Sequence, residues 1–236
     1  MLNNKTLLIT GGTGSLGNAL VKTILDKYKN IKKLIIFSRD ELKQHEMQQK
    51  YNSDKLRFFL GDVRDPNRLF RALHGVNIVI HAAALKQVPA SEYNPTEFID
   101  TNILGAKNLL EQSFNNKVET VVALSTDKAA APVNLYGATK LCSDKLFVSS
   151  NQYYGNKMRS SIVRYGNVMN SRGSVLPIFT SYAKKNIPFP ITDEKMTRFN
   201  ISIDDGVKMI LFAIDNAKGG EIFVPKIPSF KILDLA

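Results

Sequence analysis

Between Ala123 and Lys140 the chain reads ALSTDKAAAPVNLYGATK. Tyr136 and Lys140 are spaced i, i+4, so on a helix both project from one face about one turn apart. An ammonium beside a phenol favours phenolate. The expectation is a tyrosine pKa lowered toward working pH, which would make Tyr136 a base. Asp127 and Lys128 add an acid and a base just upstream, and Thr126 adds a hydroxyl. A lysine acts as a base only while neutral, and pairing with Asp127 would favour its charged form. The two side chains are therefore expected to point in different directions.

These groups can act together only if a strand ends near Thr126 and a helix starts just before Tyr136. The apolar run 121–124 suits the strand, and a helix to about residue 152 suits the rest. The chain opens with another strand, 5–10, followed by GGTGSLG. Gly11, Gly14 and Gly17 form G-x-x-G-x-x-G ahead of a helix at 16–27. In that strand–turn–helix context glycines permit a tight turn and close approach to a pyrophosphate, and the helix N-terminus offers amides and a positive dipole end. The second strand, 33–37, ends in Ser38-Arg39-Asp40, with Lys43 one helical turn later. Cations at this strand end read as NADP over NAD, because an arginine accommodates a 2′-phosphate. The third strand, 56–60, ends in Gly61-Asp62-Val63, where adenine would be bracketed. The fourth, 77–80, runs into His81-Ala82-Ala83-Ala84, small residues that let backbone lie against a ligand, and Lys86 follows.

A helix with a core-facing stripe is expected at 96–114, a strand at 162–165, and a helix near 177–185. The alternation predicts an α/β fold: a doubly wound parallel Rossmann sheet with a small C-terminal substrate-binding lobe. Residues 1–168 would form the NADP-binding domain. Residues 169–236, with shorter elements, several prolines (Pro177, Pro188, Pro190) and the cluster Met196-Thr197-Arg198-Phe199, would form part of the substrate lobe. A helix at 203–216 and a strand at 222–224 follow. Residues 232–236 read as the first turn of a helix, so the lobe is expected to be truncated.

The net charge of +11 is scattered, without a stripe of basic and aromatic residues. That argues against nucleic acid and suits substrates that carry phosphates. No apolar run approaches the roughly 18 residues of a membrane span, and the N-terminus lacks a signal-peptide core. Cys142 is the single cysteine, so no internal disulfide can form, and a reducing cytoplasm is expected. No metal site is expected.

The strand-end Thr126 and Tyr136-x-x-x-Lys140, beside a dinucleotide motif, resemble the extended short-chain dehydrogenase/reductase superfamily. The resemblance narrows through FSRDELKQ, GDVRD, IHAAALKQVPASEYNP, TNILGAKN, LSTDKA, VRYGNV and PITDEKMTRF. These are similar to the UDP-N-acetylglucosamine 4,6-dehydratases that invert carbon 5, of the kind that begins pseudaminic acid synthesis for flagellin glycosylation. The resemblance implies that Tyr136 takes the 4-hydroxyl proton with Thr126 sharing the oxygen, that Lys140 holds the tyrosine and nicotinamide ribose, that Lys128 removes the carbon 5 proton, and that Asp127 protonates the departing 6-hydroxyl. It implies NADP contacts at Gly11, Thr13, Gly14, Ser15, Leu16, Gly17, Ser38, Arg39, Asp40, Glu41, Leu42, Lys43, Asp62, Val63, Ala82, Lys86, Leu124, Ser125, Tyr136, Lys140 and Val168. Substrate contacts would come from Lys86, Asn167, Arg172, Thr192 and Arg198, with Arg172 and Arg198 suited to clamp a diphosphate. The chain departs from the family pattern at Gln87 (histidine is common), Ala131 (asparagine), Asn170 (glycine) and Asn200 (tryptophan). The family tends to assemble as homo-oligomers and continues well beyond Ala236.

Overall fold

A computed structural model describes residues 2–155, 157–169 and 175–236. The chain opens with β1 (Thr6–Thr10), α1 (Ser15–Lys27), β2 (Lys33–Ser38), α2 (Glu41–Tyr51), β3 (Leu56–Leu60), α3 (Pro66–Ala72) and β4 (Ile78–His81). Next come α4 (Val88–Tyr93), α5 (Pro95–Ile99), a π-helical turn (Asp100–Leu104), α6 (Gly105–Asn115), β5 (Thr120–Thr126) and α7 (Leu135–Tyr154). The chain then forms β6 (Arg159–Tyr165), β7 (Asn167–Val168), α8 (Val175–Lys184), β8 (Thr197–Ile201), α9 (Ile203–Asn216), β9 (Ile222–Phe223) and β10 (Ser229–Lys231).

Seven strands pair in parallel in the order β3-β2-β1-β4-β5-β6-β9. β1, an interior strand, is buried along its whole length because helices cover both faces; such a strand is a continuous apolar run rather than an alternating one. On one face Leu20, Val21 and Ile24 of α1 meet Val207, Ile210 and Ile214 of α9 over the sheet. On the other, Leu69 of α3, Leu109 of α6 and Phe147 of α7 pack together. The strand order reverses between β1 and β4, and in open α/β sheets ligands bind at the carboxyl ends of the strands beside such a switch point. β10-β8-β7 form a second, three-stranded sheet. The chain after residue 168 serves both sheets, since β8 and β10 build the small one while β9 extends the large one.

The long helix expected at 96–114 is present, running without a gap through α5, the π-helical turn and α6. Its middle turn is π-helical, and there Asn102 is 2% exposed. The Asn102 amide donates to the Leu85 carbonyl (2.9 Å) and to Thr139 Oγ1 (3.1 Å), and its oxygen accepts from the Leu85 amide (2.9 Å). The wider turn aims a polar side chain into the protein, a common use of π-bulges near functional sites. The sequence reading lacks α4 and places no strand on the Met196–Phe199 cluster, which lies in or against β8.

Candidate active site

A cavity of about 950 Å³ opens at the carboxyl ends of the central strands. Gly11, Thr13, Gly14, Ser15, Leu16 and Gly17 line it. Gly11 has φ +64°, and a Cβ there would lie 2.9 Å from the Ala82 carbonyl, so any side chain would be strained and would meet the backbone across the switch point. Side chains cap α2, α3, α7 and α9, but none caps α1, whose first amides stay available to an anion. Below the turn, Thr10 Oγ1 bonds His81 Nδ1 at 2.8 Å and accepts from the Ala83 amide at 3.2 Å. Burial, with a smaller contribution from Lys140, lowers the His81 pKa to about 3, so this ring is neutral.

The end of β2 supplies Ser38, Arg39, Asp40 and Lys43 to the same cavity. Gln44 Nε2 donates to Ser38 Oγ at 2.9 Å and to the Phe59 carbonyl at 3.0 Å, tying β2 to β3. Asp40 caps α2 through the Lys43 amide (3.0 Å) and pairs with the Lys43 ammonium. Arg39 lies 3.7 Å from Asp62. Burial alone would raise the Asp62 carboxyl, but bonds from Arg64 and the charge of Arg39 hold it below its ordinary value. Val63, Ala82, Lys86, Leu124, Ser125 and Val168 also line the cavity. Glu41 and Leu42, expected at the cofactor, do not; Leu42 is 66% exposed on α2.

Thr126 ends β5 and accepts from the Lys128 amide at 3.4 Å, capping a 3₁₀ turn at Asp127–Ala129. Its hydroxyl donates to Asp127 Oδ1 at 2.9 Å. The Lys128 ammonium donates to Asp127 Oδ1 and to Asn167 Oδ1, each at 3.2 Å. The expectation that Asp127 and Lys128 point apart is therefore overturned. The tight turn brings the carboxylate within reach of the ammonium, and Asn167, at the start of β7, accepts from it at the same distance. Asn134 Oδ1 caps α7 through the Gly137 amide at 2.8 Å, and Glu92 Oε1 accepts from the Leu135 amide at 3.1 Å. A Cβ at position 137 would lie 2.3 Å from the Lys128 carbonyl, so glycine lets the helix start press against the 3₁₀ turn. That contact places Tyr136 beside Thr126.

Lys140 is 3% exposed and donates to the Leu124 carbonyl at 2.8 Å. Burial lowers its pKa and Asp144 works against that fall. The Tyr136 phenol is pushed up to about 12, chiefly by burial; its bond with Thr126 lowers it, while Asp127 and Asp144 raise it. The lowered tyrosine pKa expected from the Tyr–Lys spacing is not found, because burial disfavours phenolate, two carboxylates add to that, and the ammonium is turned toward a strand carbonyl. Asn167, Thr192 and Arg198 line the cavity, and Arg172 lies outside the described residues. Tyr165, Ile232 and Leu235 also line it and were not picked out as site residues in the sequence; Asn200, a departure from the family pattern, lines it too. Asn102 was missed as well; a polar residue inside an apolar helical stripe was its signal.

An open parallel sheet, a glycine turn at its switch point and a Tyr-x-x-x-Lys helix beside it define a dinucleotide-binding enzyme of the extended short-chain dehydrogenase/reductase class. Within it, the chain belongs to the polysaccharide biosynthesis protein family, which matches residues 7–236. A UDP-N-acetylglucosamine 4,6-dehydratase (inverting) of Campylobacter jejuni is 57% identical over all of this chain and 71% of that protein. A UDP-glucose 4-epimerase of Rickettsia felis is 47% identical over all of this chain and 70% of its own length. A dTDP-glucose 4,6-dehydratase from Streptomyces venezuelae, solved with NAD bound, superposes with a TM-score of 0.88 at 25% identity, covering 98% of this chain and 78% of that one. Among the described residues no helix is long and apolar enough to cross a membrane, and no group of His, Cys, Asp or Glu could hold a metal ion.

Proposed function

We propose that the protein is a configuration-inverting UDP-N-acetylglucosamine 4,6-dehydratase working with NADP at the head of a pseudaminic acid-type pathway. The observation that carries this reading is the Asp127–Lys128 contact at 3.2 Å, on the turn pressed against the start of the Tyr136 helix. The residues fit a dinucleotide: a glycine turn too close to Ala82 for any Cβ, and an α1 N-terminus with no side-chain cap. Bound there, NADP would supply the hydride acceptor at carbon 4 and the hydride donor at carbon 6, leaving the reaction redox-neutral with loss of one water.

The chain's own groups handle the protons. Tyr136 takes the 4-hydroxyl proton, with Thr126 on the same oxygen. For this the Lys140 ammonium turns from the Leu124 carbonyl toward the phenol, offsetting the burial that favours the neutral form. Moving one proton across the Lys128–Asp127 contact yields a neutral amine and a carboxylic acid together, with no change of net charge. The amine then accepts the carbon 5 proton, made acidic by the new ketone. The acid protonates the leaving 6-hydroxyl. Solvent returns a proton to carbon 5 from the opposite face. Arg39 and Lys43 at the β2 end favour a 2′-phosphate, and Arg198 faces the cavity as a diphosphate ligand.

The Rickettsia relative favours a second reading, 4-epimerisation, which needs Tyr136 but neither Asp127 nor Lys128. Incubation with UDP-N-acetylglucosamine and NADP in deuterated water separates the two. Dehydration gives a product lighter by one water with solvent deuterium at carbon 5. A product of unchanged mass, inverted only at carbon 4, would sink the proposal.

A further inference from the structure

Lys140 and Asp144 are two buried charged residues on α7, and the Asp144 charge opposes the fall that burial imposes on the Lys140 pKa. Lys140 is 3% and Asp144 2% exposed, and their i, i+4 spacing puts them on one helix face. A single neutral carbonyl, that of Leu124, does not offset the removal of an ammonium from water. Asp144 Oδ2 in turn accepts from Arg164 Nη2 at 2.7 Å, and Arg164 directly precedes Tyr165, which lines the cavity. The charged and titratable groups that act on Lys140 or feel its charge are Asp144 from its own helix and neutral His81 from β4, with Tyr136 one turn before it on α7. Asp127 is already engaged by Lys128. Asp144, although it also accepts from Arg164, is the carboxylate whose charge acts on Lys140.

Resting on the reading of Tyr136 and Lys140 as the oxidising pair, we propose that Asp144 is a positioning residue: the counter-charge that keeps the Lys140 ammonium charged inside the protein. Arg164 holds the Asp144 carboxylate in place from the neighbouring strand. The competing role is a plain tie between α7 and β6, which an apolar pair could serve equally well.

The two roles separate in a titration that needs no sugar nucleotide, so a chain that never dehydrates a sugar still answers. The protein is labelled with ¹³C-lysine, and the Lys140 Cε signal is assigned by its loss in Lys140→Met. Its titration midpoint is then followed by NMR in wild type, Asp144→Asn, Asp144→Glu and Asp144→Asn/Arg164→Met. Asp144→Asn strands the Arg164 guanidinium and is expected to lower Tm; adding Arg164→Met relieves that. If Asp144 is the counter-charge, the midpoint falls by about one unit or more in both variants lacking the carboxylate, and stays near wild type in Asp144→Glu. A midpoint that does not move in Asp144→Asn, or returns to wild type in the double variant together with Tm, overturns the proposal.

Discussion

Lys128 donates to two oxygens of different character, one on a carboxylate that can accept its proton and one on an amide that cannot. Only the first contact can turn the ammonium into a base. Lys128→Ala should therefore spare the first oxidation while slowing water loss about a hundredfold or more, the usual share of a general base. Reduced nicotinamide would accumulate on mixing with the sugar nucleotide, and deuterium incorporation at carbon 5 would disappear. A variant that still forms 4-keto-6-deoxy product at a near-normal rate would take Lys128 out of the reaction. His81 makes a prediction of another kind. Its folded pKa of about 3 lies below the ordinary 6.5, so the unfolded chain binds this proton first. Stability from the neutral ring is complete above pH 6.5 and falls as pH drops toward 3, by about 2 kcal/mol between pH 7 and 5. Asp62, Glu119 and Glu221 have lowered values too, but their contributions are lost mainly below about pH 5, at the lower edge of that window. Urea unfolding at pH 7, 6 and 5 reads the slope, and a flat line would contradict the buried neutral imidazole.

α7 is the element on which the site turns, because its first residues carry Tyr136 and its start is held by three separate segments. Asn134 caps it locally, Glu92 reaches it from α4, and the 3₁₀ turn presses against Gly137. The Asn134 cap follows from local sequence, since asparagine is a favoured N-cap. The Glu92 contact does not, because it joins residues 43 apart in the chain. Between the 3₁₀ turn and α7, Ala131 adopts φ +47°. An L-residue with a Cβ is disfavoured there by roughly 1 kcal/mol or more, whereas glycine or asparagine is not. Asparagine is also the residue the family pattern carries at this position. Ala131→Asn or Ala131→Gly should raise stability by about 0.5–1 kcal/mol, a Tm increase on the order of 1–4 °C for a chain of this length. Calorimetry checks it; a lower Tm for both variants would mean the loop backbone is set by something other than its own dihedral preference.

At the scale of the molecule, the large sheet was legible because each of its first five strands is a local apolar run that ends in its own turn chemistry, and Gly11, Gly14 and Gly17 mark the switch point directly. The small sheet was not. β7 has two residues and meets β8 through Asn167↔Asn200, a pairing between distant segments with no local signature. For the same reason Thr126, Asp127, Lys128, Tyr136 and Lys140 could be named from the chain, but the Asp127–Lys128–Asn167 contact could not, since its third member arrives on β7. The sequence rule about Tyr–Lys spacing failed on burial, a property of the whole fold. The two-sheet architecture also makes one cavity serve both the dinucleotide and the sugar end, so ligand binding should register as global stability. NADP at about a hundred times its Kd should add roughly 2.7 kcal/mol, a Tm rise on the order of 5–10 °C. On the proposed reading Arg39 and Lys43 bind the 2′-phosphate, and charge-assisted hydrogen bonds contribute about 1.5–3 kcal/mol each. NAD should therefore stabilise less than NADP at equal concentration, and Arg39→Ala/Lys43→Ala should weaken NADP about tenfold or more while leaving NAD nearly unchanged. Thermal shift and calorimetric titration with both dinucleotides measure this. Equal stabilisation of the wild type by NAD and NADP would show that neither cation reads the phosphate.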